Sequence, residues 1–356
     1  IYLPSDNWKL DFNVSYEYGD QGGYPYGLYN KETGDVAKTA YNDESSYYRN
    51  LLNAGLNVEY QAQNFTLSAV TGYQHLKDRM FLDQDFTAKN TYTLEQKQRI
   101  NTISEEIVMK SKESHRWQWA TGIFGFYQWL NTTAPVTFKE DGMAMMDQML
   151  GNFIPALVEV PMGPGRNMNI MPALKVTSAR LPINGDFKTP LLNGALFHQS
   201  TFRDLFGIDG VSFTAGLRLD YEKMKMDYNS GTAMDYTIGI TGQMMMNGAP
   251  TGKPISMMPE TALTVTSRYQ GSISKDYLQL LPKFALQYDF PKNLGNVYAT
   301  VSKGYRSGGY NIQMFSDLLQ ASLKNDMMRL TKDEIMSQVP ENLKDMVNFI
   351  PDAGEN

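Results

Sequence analysis

The sequence predicts an all-β protein: an antiparallel up-and-down transmembrane β-barrel, incomplete at about nine main strands, with long helix-containing extracellular loops. Three observations carry that expectation. Segment after segment alternates apolar and polar side chains, the two-residue period of a strand with one greasy and one wet face. The connections between those segments alternate long and short. Outer-membrane barrels obey this rule with brief periplasmic turns and extended outer loops, whereas a sandwich has no reason to follow it. No run of about 18 apolar residues occurs, so no transmembrane helix is expected, while barrel strands hide half their residues from lipid.

Taken in order, Leu10, Phe12, Val14, Tyr16 and Tyr18 alternate with Asp11, Asn13, Ser15 and Glu17 and read as a strand. The polar interval 20–50, containing QGGYPYG, is far too long for a hairpin turn and reads as a loop. Ala54, Leu56, Val58 and Tyr60, then Phe65, Leu67, Ala69, Thr71 and Tyr73, form a tight hairpin across 61–64. A second polar interval, 78–94, carries Asp83 and Asp85. Strands over 96–111 and 117–129 flank a short turn at 112–114.

The longest interruption is 131–189, where Met143, Met146, Met149, Leu150, Phe153 and Leu157 recur at helical spacing. A packed helix accounts for this stripe, because methionine fills irregular gaps. Strands return at 191–202 and 211–228. In the second, Val211, Phe213, Ala215, Leu217, Leu219 and Tyr221 face one way, while Ser212, Thr214, Gly216, Arg218 and Asp220 face the other. Eleven such residues at roughly 3.3 Å per step, tilted by about 40°, span about 25 Å, the height of an outer-membrane apolar band. The interval 229–276 reads as a further long loop holding an extra strand at 261–269.

Leu278, Leu280, Phe284, Leu286, Tyr288 and Phe290 then share one parity before a short turn at 291–296. The last strand opens as NVYATVS and runs into GYRSGGYN. Aromatics among glycines and a cation suit the interfacial belt of a barrel; a soluble sheet ending in a Gly-Gly turn reads equally well. The tail 315–349 carries a helical pattern through Leu318, Leu319, Leu323 and Met327, with Ser316 as its cap.

Composition narrows the function. Twenty-two Tyr, 17 Phe and 4 Trp fit strands and belts, and the absence of Cys removes disulfide and thiolate-metal chemistry. A net charge of -6 gives no basic footprint for nucleic acid. The start, Ile1-Tyr2-Leu3-Pro4, lacks an initiator Met and a charged leader, and an odd strand count ends on the long-loop side. Both are expected of one stretch, residues 1–356, of a larger barrel domain whose plug and C-terminal strands lie elsewhere, since open sheet edges cannot satisfy their backbone in lipid.

LPSDNWKLDFNVSYEYGDQGGYPYG, FTLSAVTGYQ with DQDFTA, ISEEIVMKS before RWQWATGIFGFYQ, FTAGLRLDYEKMKMDY, YLQLLPKFALQYDF and VSKGYRSGGYNIQMF together resemble the TonB-dependent outer-membrane receptors, in particular the ferric siderophore branch. The resemblance spans Leu3 to Phe315. It implies a barrel of about 22 strands around an N-terminal plug, a bacterial outer-membrane location, and import of a scarce metal chelate energised by the TonB complex through that plug. Neither catalytic residues nor cofactors nor a resident metal are implied.

Such receptors meet ligand with aromatic and cationic groups at the outer mouth. The residues expected to bind are Tyr24 and Tyr26 in QGGYPYG, and Tyr305, Arg306 and Tyr310 in the last strand. Arg suits anionic oxygens through its planar fork; a belt Tyr and a lumen Arg paired to a wall carboxylate account for the same residues. Asp83 and Asp85, two apart in extended chain, point the same way and suit either a hard cation or solvent. Two other functions fit parts of the sequence. A soluble β-rich carbohydrate-binding protein would explain the aromatic loops. An outer-membrane barrel hydrolase would use His198 and Ser200, which share a strand face, but the sequence locates neither an orienting third group nor an oxyanion site. The other histidines, His75 and His115, belong to no catalytic motif.

Overall fold

The computed structural model describes residues 1–23, 26–112, 116–152, 154–339, 341 and 344. Fifteen strands and two helices follow one another among them: β1 (Tyr2–Ser5), β2 (Trp8–Gly22), β3 (Ser46–Gln61), β4 (Phe65–Asp83), β5 (Tyr92–Ser111), β6 (Trp117–Thr133), β7 (Val136–Phe138), α1 (Glu140–Gly151), β8 (Val158–Gly163), β9 (Arg166–Val176), β10 (Leu181–Lys188), β11 (Leu191–Arg203), β12 (Val211–Met246), β13 (Ala249–Pro250), β14 (Ile255–Asp289), β15 (Asn296–Ser302) and α2 (Met314–Gln338). All strands join one antiparallel sheet. Its edges are β1 and β15, which do not pair with each other, so the sheet is open.

Two apparent breaks are prolines in otherwise continuous strands. β7 continues β6 across Pro135, and β11 continues β10 across Pro190, with the register to β5, to β12 and to each other unchanged on both sides. Each proline still accepts a ladder bond, Glu95 N–H to Pro135 O and Lys225 N–H to Pro190 O, but has no N–H to return one. Pro282 does the same to the last strand. Lys303 N–H bonds Pro282 O, the reciprocal bond is missing, and β15 ends one residue earlier at Ser302.

Register gathers an apolar band on one face of the sheet. Leu10, Val58, Ala69, Ile107, Ile123, Leu196, Leu219 and Leu280 lie directly opposite one another across eight successive strands, and every member of the row is apolar. Leu196, Leu219, Leu280 and Ile123 are exposed on this outer face. Glu105 interrupts the next row, where it accepts a hydrogen bond from Thr71. Aromatic rings fringe the band at both ends, as in outer-membrane barrels. At the short-turn end lie Trp8 on Tyr60 (4.8 Å) and Trp117 on Phe202 (6.4 Å); at the long-loop end lie Tyr16, Tyr73 and Tyr127 against Trp129 (4.4 Å). Beyond the second fringe the outer row reads Tyr18, Asn50, Lys77, Arg99, Asn131, Lys188, Asp227 and Ser272, which is a water-facing row.

At that level the amphipathic pattern inverts without a change of parity. On β12 the outward Leu217, Leu219 and Tyr221 give way to Lys223, Lys225 and Asp227, while the inward Arg218, Asp220 and Glu222 give way to Met224, Met226 and later Met234, Tyr236, Ile238 and Ile240. On β14 the outward Leu280 and Leu278 are followed by Asp276, which sits directly opposite Lys223. The main hydrophobic core therefore lies outside the band. There α1 and α2 cover the inner face of the projecting strands, burying Met143, Met146, Leu150, Ile170, Leu181, Met234, Tyr236, Ile238, Leu323, Met327 and Ile335 in one cluster. The Tyr236 hydroxyl meets Thr331 at 3.0 Å inside it.

Several boundaries differ from the sequence reading. The interval 229–276 is the outer half of the β12–β14 hairpin, and 78–94 is mostly strand with a loop of 84–91. The interruption 131–189 contains β7 to β10. GYRSGGYN leaves the sheet at Pro282 instead of forming a belt strand. Ser316 lies inside the first turn of α2, whose N-cap is Gln313. In the methionine stripe Met143, Met146 and Leu150 are buried, whereas Met149 and Leu157 are exposed; Phe153 and the tail beyond 344 lie outside the described residues. β1 carries no alternating pattern, and pairing with β2 alone makes it a strand.

Candidate functional site

The inner face holds two neighbouring features at the level of the inversion. The first is a polar column on β12. Arg218 donates from Nε to Asp220 Oδ2 at 2.7 Å and lies over the rings of Phe124 and Phe197 at 5.7 and 5.8 Å. Asn193 donates to the other Asp220 oxygen at 2.7 Å. Glu222, only 8% exposed, leaves Oε1 without a partner. Sequence reasoning missed Glu222 and Tyr277 as site residues. The even-numbered charges of GLRLDYEKM were the available signal.

After Pro282 the chain climbs this face. Tyr305 packs on Tyr277 with ring centroids 6.1 Å apart, its hydroxyl buried, unpartnered and in the field of Glu222 and Asp220. Gly308 passes the Tyr277 hydroxyl and Met224. Tyr310 then packs against the small cluster of Phe187, Met226 and Phe315, again with a buried hydroxyl that has no partner.

The second feature is a cavity of about 400 Å³ beneath the first turn of α2. Its floor is open because adjacent strands place small residues side by side, Ala134, Gly185 and Ser230. A Cβ on Gly185 would stand 2.8 Å from the Phe187 ring. Tyr92, Phe138, Phe187 and Phe315 form the walls, with Phe187 on Phe315 at 5.3 Å and Tyr92 on Phe138 at 5.5 Å. Gln84, Gln96, Gln313 and Gln320 add amides. Burial, followed by the charge of Asp85, pushes the Tyr92 phenol above its ordinary pKa, so it stays protonated and able to donate.

The residues expected from sequence are distributed unevenly. Tyr305 and Tyr310 come together on the inner face. Arg306 is exposed and pairs with no described carboxylate, so the expected lumen ion pair is absent among the described residues. Tyr26 sits in the first long loop against Phe86 at 5.2 Å, and Tyr24 lies outside the described residues. Asp83 and Asp85 do not converge on a cation. Asp83 accepts from Asn42 N–H at 2.9 Å, Asp85 accepts from Thr87 and Thr91, and no group of three or more potential metal ligands occurs among the described residues. They tie down loops.

His198 and Ser200 do meet, on the outer face. His198 Nε2 is 3.0 Å from Ser200 Oγ, Thr121 Oγ1 is 2.7 Å from Nδ1, and Trp117 Nε1–H donates to Ser200 Oγ at 3.1 Å. The third group is a hydroxyl, and no described contact supplies an oxyanion site. These polar groups satisfy one another on a face with no water to do so. His115 lies outside the described residues.

An apolar outer band between aromatic fringes, a wet inner face and a covered mouth define part of an outer-membrane β-barrel. The family model described as TonB dependent receptor-like, beta-barrel matches residues 2–324. This chain belongs to that family, whose members are outer-membrane transport receptors and not enzymes. No curated protein matches it. Among solved structures it is similar to the ferric yersiniabactin uptake receptor FyuA from Yersinia pestis, at 8% identity and a TM-score of 0.33, over 83% of this chain and 60% of that receptor's length.

Proposed function

We propose that the protein to which residues 1–356 contribute a section of barrel wall is a bacterial outer-membrane receptor that binds a scarce metal chelate, such as a ferric siderophore, and imports it with energy delivered by TonB through a plug domain. The observation that carries this reading is the inversion of amphipathicity at one level of β12 and β14, which sets a hydrocarbon-facing wall below and a water-facing mouth above. A soluble carbohydrate-binding sheet would not expose Leu196, Leu219, Leu280 and Ile123 in one row.

Ligand is held on the inner side of the mouth by Tyr305, Arg306 and Tyr310, of which Tyr310 packs on the cavity-wall residues Phe187 and Phe315, with Tyr26 on the loop nearer solvent. The test is ligand binding by the complete receptor. Arg306→Ala and Tyr305→Ala should each weaken binding of the transported chelate, and unchanged affinity in both variants removes these residues from the site. Recovery of the protein without detergent would overturn the receptor reading itself.

A further inference from the structure

The cavity under α2 has a chemistry that its position alone does not impose. Gln84, Gln96, Gln313 and the Tyr92 hydroxyl offer neutral hydrogen-bonding groups, Ser230 and Gln320 donate to Asn184 O and Ser316 respectively and keep acceptor oxygens, and four aromatic rings offer apolar faces. Among the described residues the lining contains no Lys or Arg, and its single charge is the carboxylate of Asp317.

Apart from Arg306, which is exposed and does not line the cavity, the nearby features that would attract an anion are already engaged. The positive end of α2 carries Asp317 in its first turn, and the amides of Phe315 and Ser316 bond back to Ile312 O and Gln313 O at 3.2 Å. Lys139, next to Phe138 in the chain, is ion-paired with Asp43, and Arg218 is held by Asp220. The unpartnered buried atoms on the adjoining face are Glu222 Oε1, Tyr305 Oη and Tyr310 Oη, an acceptor and two hydroxyls. A ligand carboxylate or catecholate would lose hydration here and face Asp317 and Glu222 without a compensating cation among the described lining residues.

We infer that this cavity is a ligand subsite of the receptor and that it takes an uncharged ligand presenting hydroxyl or amide donors beside an apolar face, in preference to an anionic one. The inference rests on the receptor reading and deepens it. Its volume is within the range of small-molecule pockets, about 300–1,000 Å³. Two sources share this chemistry: a ferric chelate whose three hydroxamates cancel the metal charge, and a neutral oligosaccharide.

The experiment titrates the complete receptor, purified in detergent, with three probes: a neutral ferric trihydroxamate, a trianionic ferric tricatecholate and maltoheptaose. Either neutral probe should bind at least about tenfold more tightly than the tricatecholate, and which one does so identifies the source. Ser230→Leu, which fills the floor, should weaken that binding about tenfold or more. Asp317→Lys, an exposed charge reversal, should narrow or reverse the preference. Tighter tricatecholate binding that is indifferent to Ser230→Leu but lost in Arg306→Ala overturns the inference and leaves the receptor reading standing. If no probe binds, and cells lacking the gene take up all three as wild type does, both fail together.

Discussion

The same two strands, β12 and β14, are built to opposite rules along their length. Within the band their inward side chains are mostly polar, small or charged and their outward ones are mostly Leu, Phe and Tyr; in the projecting half the inward ones include Met, Tyr, Ile and Val and the outward ones Lys, Asp, Asn and Thr. The backbone, the register and the side-chain parity pass through unaltered. What changes is the solvent outside. The lower part turns its apolar face outward and is flanked by neighbouring strands, whereas the upper part needs a packed interior and obtains one from α1 and α2.

The sharpest way to break this contrast is a charge in the projecting half. Ile238→Asp places a carboxylate at a position with 0% exposure and should cost about 4 kcal/mol or more. Protease sensitivity should appear across 131–190 and 229–276, while membrane insertion persists. Met327→Ala, at the centre of the same core, should cost about 2–5 kcal/mol by denaturant titration of the mouth.

In the band the polarity of the effect reverses. Leu219→Arg, mid-row on the outer face, should cost about 2–4 kcal/mol on folding into vesicles, whereas an Arg at the equally outward Asp235 should change little. Acid should loosen the loop end selectively. Burial alone would raise the Asp85 and Glu95 carboxyls, but hydrogen bonds from Thr87 and Thr91, and from Lys97 and Arg79, outweigh it and hold both below their usual range. Such depressed groups stabilise the fold fully above the unfolded values of about 3.9 and 4.3 and progressively less as pH falls through the folded ones. Hydrogen exchange over 84–95, corrected for intrinsic rate, should therefore be flat from about pH 7 to 5 and rise below about pH 4. The smallest effect is expected from Lys223→Leu with Asp276→Leu, which removes an opposed pair worth about 0.2–1 kcal/mol and extends the band by one row. Depth-dependent quenching of Trp129 should register the shift.

The lower half was legible from alternation alone, because lipid demands a strict outward parity and each strand from Leu10 to Phe290 displays it. The upper half was hidden by the expectation that parity keeps its meaning. Met234, Tyr236, Ile238 and Ile240 alternate as cleanly as Leu217 and Leu219, but on the other face, and a reader following greasy residues outward sees the strand stop at Tyr228. The site was legible only in part. Tyr305 and Tyr310 stood out by type, yet Glu222 acquires its isolation from a segment more than 80 residues later, and the cavity exists because Ala134, Gly185 and Ser230 become neighbours across strands.

Pro282 gives the mouth a mechanical property. Because it withholds the bond that Lys303 would accept, the chain from Gly304 to Gln313 is already free of the ladder on that side. Swinging this segment away from Tyr277 and Phe187 would peel off aromatic contacts one at a time and leave every sheet hydrogen bond below it intact. The segment is tied to the wall by side-chain packing at Tyr277 and Phe187 and by the burial of α2 beyond it, not by ladder hydrogen bonds.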